Sequence, residues 1–125
     1  MIEALFNQPN YLAAKATLDG SELRQQAIAS NIANLETPGY KRVDLAPSFE
    51  QALERASASG DTQTLSSLQP TLAVDATAAG ASRDGNDVNL EKEMMLMNQN
   101  SMTHAFETQM ISGVLSKLRT AINGQ

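Results

Sequence analysis

The chain contains no cysteine and no tryptophan. Without cysteine there is no disulfide framework, no thiol nucleophile and no thiolate-ligated metal site. Aromatic residues make up only 4% of the sequence, so a core must rest on Leu, Ile, Met and Ala. That palette suits helix packed on helix better than stacked sheets. Charge is also scarce: 18% of residues are Asp, Glu, Lys or Arg, against about a quarter in an average domain. Asn, Gln, Ser and Thr replace them and give a polar, weakly charged surface suited to lying against other protein. The net charge is −5. Nucleic-acid phosphates and anionic membranes both require clustered Lys and Arg, so neither nucleic-acid binding nor direct lipid binding is expected. No run approaches the about 20 apolar residues of a membrane helix. The start, MIEALFNQPNYL, lacks the basic stretch and apolar run of a secretory signal. Taken alone, this reads as cytoplasmic. A length of 125 residues fits one domain.

What the sequence does contain is helical periodicity at both ends. From about Pro9 to Leu35, apolar residues recur at helical spacing on two faces. One face carries Leu12, Ala16, Leu23 and Ala27; the other carries Ala14, Leu18, Ile28, Ile32 and Leu35. A helix packed on one core shows a single stripe, so two stripes imply two partners. Pro9 suits a first helical turn. Asp19-Gly20-Ser21 interrupts the pattern, and a mid-helix Gly costs about 1 kcal/mol relative to Ala. It marks a kink, a close helix contact or a break; one continuous helix is the favoured reading.

The second helix is expected from Asp87 to Ile122, capped by Asn86 or Asp87. Glu91 and Glu93 fall near its start, and Lys117 and Arg119 near its end, before Asn123-Gly124; these signs match the helix dipole. Leu90, Met94, Met97, Ser101, His104, Thr108, Ile111, Leu115, Leu118 and Ile122 alternate by four and three, a heptad seam that is polar in its middle. Met95, Met102, Phe106 and Met110 form a second stripe. Methionine is common where a surface must adapt to several shapes.

Between the helices, Thr37-Pro38-Gly39-Tyr40 suits a type II turn, with φ fixed at Pro38 and positive at Gly39. Pro47 to Arg55 reads as a short helix with Phe49 and Leu53 on one face. Thr71-Leu72-Ala73-Val74 is the one credible strand. The remaining residues are small and polar, so 56–86 reads as a loose arm that neighbours would order.

Residues for catalysis are not assembled. His104 is the single histidine and lies on the heptad seam. Asp84-Gly85-Asn86-Asp87 begins like a calcium loop but places Gly second and Met95 twelfth, which fails the EF-hand pattern. Glu91 and Glu93 point to different helix faces and cannot act as a carboxylate pair. No phosphate-binding Gly loop or nucleophile elbow is present. No catalytic residues, cofactor or metal are therefore expected. Two long helices can pair through one stripe each and leave the others exposed. Exposed apolar patches of that size mark a partner surface. Copies that pack such patches without closing a ring build a filament or tube; the alternatives are a small monomeric bundle or a soluble helical adaptor or chaperone-like binding module.

Ala33-Asn34-Leu35-Glu36-Thr37-Pro38-Gly39-Tyr40 resembles the ANxxTPGY signature of bacterial flagellar rod, hook and related axial proteins, and Ser30-Asn31-Ile32 extends the match. DGNDVNLEKEM, Asp84 to Met94, resembles the DGNxVxxxxEM element of the proximal rod subunits, as does Lys117 to Ile122. The short length, with no room for an outer domain, agrees. Asp19-Gly20-Ser21 departs from the family, whose first helix usually carries long basic side chains there.

The resemblance implies a mainly α fold. Long N- and C-terminal helices would pack side by side in coiled-coil fashion, with an irregular middle arm holding a short helix and a little β. Residues 1–36 and 86–125 would form the helical inner-tube core, and 37–85 a turn and extended arm, partly disordered in the free monomer. It implies a structural subunit of the flagellar proximal rod, or another rod subunit of that family. Its partners would be itself, adjacent rod subunits, the adaptor joining rod to membrane ring, and the flagellar export apparatus. It also implies a place in the basal body within the periplasmic space, reached without a cleaved signal peptide. The assembly turn would be Asn34, Thr37, Pro38, Gly39 and Tyr40, with Tyr40 as an anchor and Lys41 and Arg42 reaching acidic groups on an adjacent subunit. The helix-packing interface would comprise Leu18, Leu23, Ile28, Ile32, Leu35, Leu90, Met94, Met97, Met102, Phe106, Ile111, Leu115, Leu118 and Ile122.

Overall fold

The computed structural model describes residue 4 and residues 6–78 and 82–124. The parts of the expected core and arm at 1–3, 5, 79–81 and 125 lie outside the described residues. Helix α1 spans Pro9–Ala33, strand β1 Val43–Leu45, helix α2 Pro47–Ser59, helix α3 Thr62–Ser67, strand β2 Leu72–Val74 and helix α4 Leu90–Asn123. A single 3₁₀ turn, Ala76–Ala78, follows β2. The fold is mainly α, with long helices at both ends, as expected.

Helix α1 starts at Pro9, whose missing N–H costs nothing in a first turn. It runs unbroken through Gly20. Of the three readings of that glycine, the close contact is correct. A Cβ at Gly20 would lie 2.8 Å from Cε1 of Phe49, so the bare backbone makes room for the ring of α2. Helix α4 starts three residues later than expected. Asn89 is its cap, accepting from the Lys92 amide, while Asn86 and Asp87 are used elsewhere. The helix ends at Gly124 in the left-handed conformation, and Lys117 and Arg119 lie before its last turn.

The helices run antiparallel. Asn31 of α1 meets Glu93 near the start of α4, Ser21 and Gln25 meet Asn100, and Glu22 approaches His104. Ala14, Leu18, Ile28 and Ile32 share the side of α1 that carries Ser21 and Gln25, so that stripe lies along α4. The other stripe of α1 is covered by the arm. Leu12 packs with Ala56 of α2 and Leu65 of α3, and Ala16 packs with Leu45 and Phe49. Both partners of α1 therefore come from its own chain, and the expectation that it keeps a spare stripe is corrected.

The arm is also more regular than expected. Helix α2 extends to Ser59, and α3, unforeseen in the small polar stretch, is capped by Asp61 accepting from the Thr64 amide. Strand β2 pairs antiparallel with β1, with Asp44 opposite Ala73.

Candidate functional site

The two sequence signatures close on each other where α1 ends and α4 begins. The last carbonyls of a helix lack partners within it. Here those of Ser30, Asn31 and Ile32 accept from the Asn34 and Leu35 amides, and Asn86, itself buried, serves the cap and the turn beyond it: its side-chain Nδ2 donates to the carbonyls of Asn34 (2.9 Å), Leu35 (3.0 Å) and Thr37 (2.7 Å). Asn34 reaches back to the Ser30 carbonyl at 2.8 Å and accepts from the Thr37 hydroxyl at 3.1 Å. The Tyr40 amide donates to the Thr37 carbonyl, and Gly39 has φ +74°, so the type II turn forms where it was expected.

Three further bonds lock the second signature onto that turn. The Gly39 amide donates to the Asp84 carbonyl (2.9 Å), the Asp87 amide to the Tyr40 carbonyl (3.1 Å), and the Lys41 ammonium to the Gly85 carbonyl (3.0 Å). Lys41 also pairs with Asp87 at 3.5 Å. Asp84 organises the loop: the Ser82 hydroxyl and the Asn86 amide donate to its carboxylate and hold its pKa below the usual range. The Tyr40 hydroxyl turns back to α1, 3.2 Å from Asn31 Oδ1 and 3.1 Å from the Ser30 hydroxyl. Its anchoring contacts are thus made inside the subunit. Pro38 and Gly39 remain exposed.

Behind the turns lies a buried charge network. Arg42 is 2% exposed and Glu93 0% exposed. The Arg42 guanidinium donates to both oxygens of Glu93 through Nε and Nη2, and through Nη1 to Asp44 (3.0 Å) and Asp75 (2.9 Å). Arg42 therefore does not reach a neighbouring subunit, and that expectation is corrected: a guanidinium so enclosed finds its carboxylates in its own chain. Asn31, also fully buried, donates to Glu93 (3.3 Å) and to the Val43 carbonyl (2.8 Å), and accepts from the Val43 amide (3.0 Å). Arg24 holds the outer side through Asp44 (2.9 Å) and Glu50 (2.5 Å). Among the described residues no buried side-chain polar atom lacks a partner.

Burial by itself would disfavour the charged guanidinium, but the bonds to Glu93 and Asp44 outweigh it and raise the Arg42 pKa. Asp44 shows the converse. Burial pushes its pKa up, yet the Leu45 amide, Arg24 and Arg42 bring it below the ordinary value. The Thr77 hydroxyl bond, against some burial and with help from Arg42, lowers Asp75. Removing one member of a buried ion pair costs about 3–5 kcal/mol. Burying one more Met side chain contributes about 1.5–3 kcal/mol.

The inward seam of α4 is consequently not the apolar one. Glu93, Met97, Asn100, His104, Glu107, Ile111, Val114 and Leu118 run along it, again spaced by four and three, with Leu90 and Leu96 also half-buried. Asn100 donates to the Ser21 carbonyl (2.8 Å) and to Gln25 Oε1 (2.9 Å). Burial pushes the Glu107 carboxyl above its usual range. Of the expected packing residues, Ile28 and Leu118 are buried, and Leu18, Leu23, Ile32, Leu35, Leu90, Met97 and Ile111 are half-buried. Met94, Met102, Phe106, Leu115 and Ile122 are exposed, Met102 by 72% and Phe106 by 62%; Met95 and Met110 join them. Along α4, Met95, Met102, Phe106 and Met110 thus form an apolar row that its own chain leaves uncovered, while Met94, Leu115 and Ile122 are exposed on the separate heptad stripe.

Asn100 was not singled out from the sequence, and Asn31, Arg42, Asn86 and Glu93 were given other roles there. One signal was available. Glu93, Asn100 and Glu107 recur at intervals of seven, a polar heptad position beside the apolar one. Among the described residues no cluster of His, Asp or Glu could hold a metal ion, and no helix is long and apolar enough to cross a membrane.

Comparison with known proteins gives a consistent result. The family model described as "Flagella basal body rod protein" matches residues 20–41, which hold the second half of α1 and the turn. The "Flagellar basal body rod protein FlgB" of Borrelia hermsii is 32% identical over 109 residues, 73% of this chain and 78% of that protein. The protein of that name from Cereibacter sphaeroides is 31% identical over 112 residues, 83% and 86% of the two chains. That from Bacillus subtilis (strain 168) is 26% identical over 120 residues, 86% and 88%.

Proposed function

We propose, from the premise that this chain belongs to the FlgB family of flagellar basal body rod proteins and is a structural subunit of that rod, that it enters the rod through the uncovered apolar side of α4. The observation that carries this reading is the row Met95, Met102, Phe106 and Met110, all exposed in the single subunit. An apolar surface of this length is kept from water in a working protein by a partner, and the rod of the family provides one in its other subunits. Methionine dominates the row, which suits it to unlike neighbours.

In this reading the subunit polymerises with itself and with adjacent rod proteins. Its antiparallel helices line the export channel, and the interlocked turns hold the angle between helices and arm under torque. Its role is mechanical rather than catalytic. The adaptor between rod and membrane ring and the export apparatus are its further contacts. The subunit reaches the periplasmic space through that apparatus, without a cleaved signal. Residues 1–36 and 86–125 act as the core. The arm, 37–85, is partly disordered in the free subunit and is completed by its neighbours. The match to FlgB proteins over both chain ends favours the proximal rod over another rod position or a helical adaptor.

The test is Phe106→Asp. The side chain is exposed, so the isolated subunit should melt within about 0.5 kcal/mol of the parent, as surface changes do. A charge buried without a partner costs far more in an assembled rod. A strain carrying only this variant is expected to lose completed rods and motility. Normal motility with normal protein levels would show that this side of α4 stays in water.

A further inference from the structure

Helix α4 carries two competing inward faces. Its apolar heptad, through Met94, Met97, His104, Ile111, Leu115 and Leu118, is the one hydrophobic burial alone would select. The face turned to α1 is instead rotated from it by about 50°, at 100° per residue. Glu93 is inside and Met94 is outside; Val114 is half-buried and Leu115 is exposed. Both helix ends therefore show the same offset.

We infer that Arg42 and Glu93 are positioning residues that set the rotation of α4 about its own axis, and so decide which apolar side chains the subunit displays. The guanidinium is held by Asp44 of β1 and by Asp75, the residue after β2, independently of α4. It offers Nε and Nη2 to one carboxylate, and Glu93 meets both while Asn31 donates to the same group. A fork that takes two bonds constrains direction as well as distance. Met94 cannot satisfy it. Asn100, seven residues on, repeats the constraint on Ser21 and Gln25. A buried polar contact that specifies helix register is a known use of such groups. The consequence is that Met94 and Leu115 are withheld from the intramolecular seam and stay on the surface. Their use by neighbouring subunits rests on the proposed function; the rotation does not.

The chain has no cysteine, so a single introduced thiol reports its own exposure. Met94→Cys and Leu115→Cys are placed separately in the parent and in Arg42→Met/Glu93→Ala, which removes the network without adding a large apolar group to the present inward face, and alkylation by iodoacetamide is timed on the free subunit. With the network removed, α4 should turn its apolar heptad inward, and both thiols should react about tenfold more slowly while helicity is retained. Unchanged reactivity at both thiols in the folded double variant overturns the positioning role. Should that variant not fold, Glu93→Ala, which leaves Arg42 with Asp44 and Asp75, is read the same way. Motility is scored in parallel. Slowed alkylation with lost motility supports both the rotation and its use in assembly. Slowed alkylation with normal rods supports the rotation and overturns the use of Met94 and Leu115 by neighbouring subunits.

Discussion

At Gly39 the backbone sits at φ +74°, a region a β-branched residue strongly resists. No atom lies near the position of its absent Cβ, so the constraint is conformational and not steric crowding. Gly39→Val should therefore cost about 1–3 kcal/mol through backbone strain. It should also loosen the bond from its own amide to Asp84. A lowered melting temperature together with poor rod completion is the expected pair of outcomes; an unchanged melt would mean the turn adapts freely. The carboxylates around Arg42 make a second residue-scale prediction. Asp44 and Asp75 titrate lower in the folded chain than in the unfolded one. Their stabilising contribution is thus complete above the unfolded value, about 3.9, and is lost as pH falls through the lower folded values. Melts between pH 7 and pH 3 should be flat at first and then drop below about pH 4. In Asp44→Asn, which starts less stable, the drop should be shallower.

Between elements, α2 approaches α1 closely at Gly20. Phe49 is buried and its ring edge fills the space a side chain would need. Gly20→Leu improves helix propensity by up to about 1 kcal/mol. The overpacking costs about 1–3 kcal/mol. Packing wins, so urea unfolding should shift to a lower midpoint with the slope unchanged; a midpoint at or above the parent's would show that α2 moves away at little cost. The continuity of α1, its start at Pro9 and the Gly124 stop were legible because each depends on a few adjacent residues. Helix α3 was not. Its residues Thr62–Ser67 are weakly helical, and the burial of Leu65 against Leu12 and Ala56 is what holds them.

For the whole molecule, the arm and α4 occupy opposite roles. The arm covers one side of α1, and α4 covers the other while leaving its own outer side open. In the free subunit, amide exchange should be slow across α2 and α3, where Phe49, Ala56 and Leu65 are buried, and fast at Leu72–Val74. Uniform slow exchange through β2 in the free subunit would remove the idea that neighbours complete the arm. A rod that carries torque needs stiffness along its helices and adaptable joints between subunits. The buried network at one end of α4 and the methionine-rich row along its outer side fit those separate demands.

Some of this architecture was settled by neighbours in the chain. Pro38-Gly39 can make few turns other than the one observed, amphipathic spacing made both long helices evident, and the absence of cysteine and of basic clusters closed off whole classes of function. The facing of α4 was different. Its own pattern points to Met94 and Leu115 as inward, and that is not where the helix turns. Arg42 and Glu93 lie 51 residues apart, and β2, which holds Asp75 against the same guanidinium, is a further segment again. Periodicity registers how apolar each position is, but a desolvated charge outweighs a methionine, and its partner is known only once the chain has folded back to deliver it.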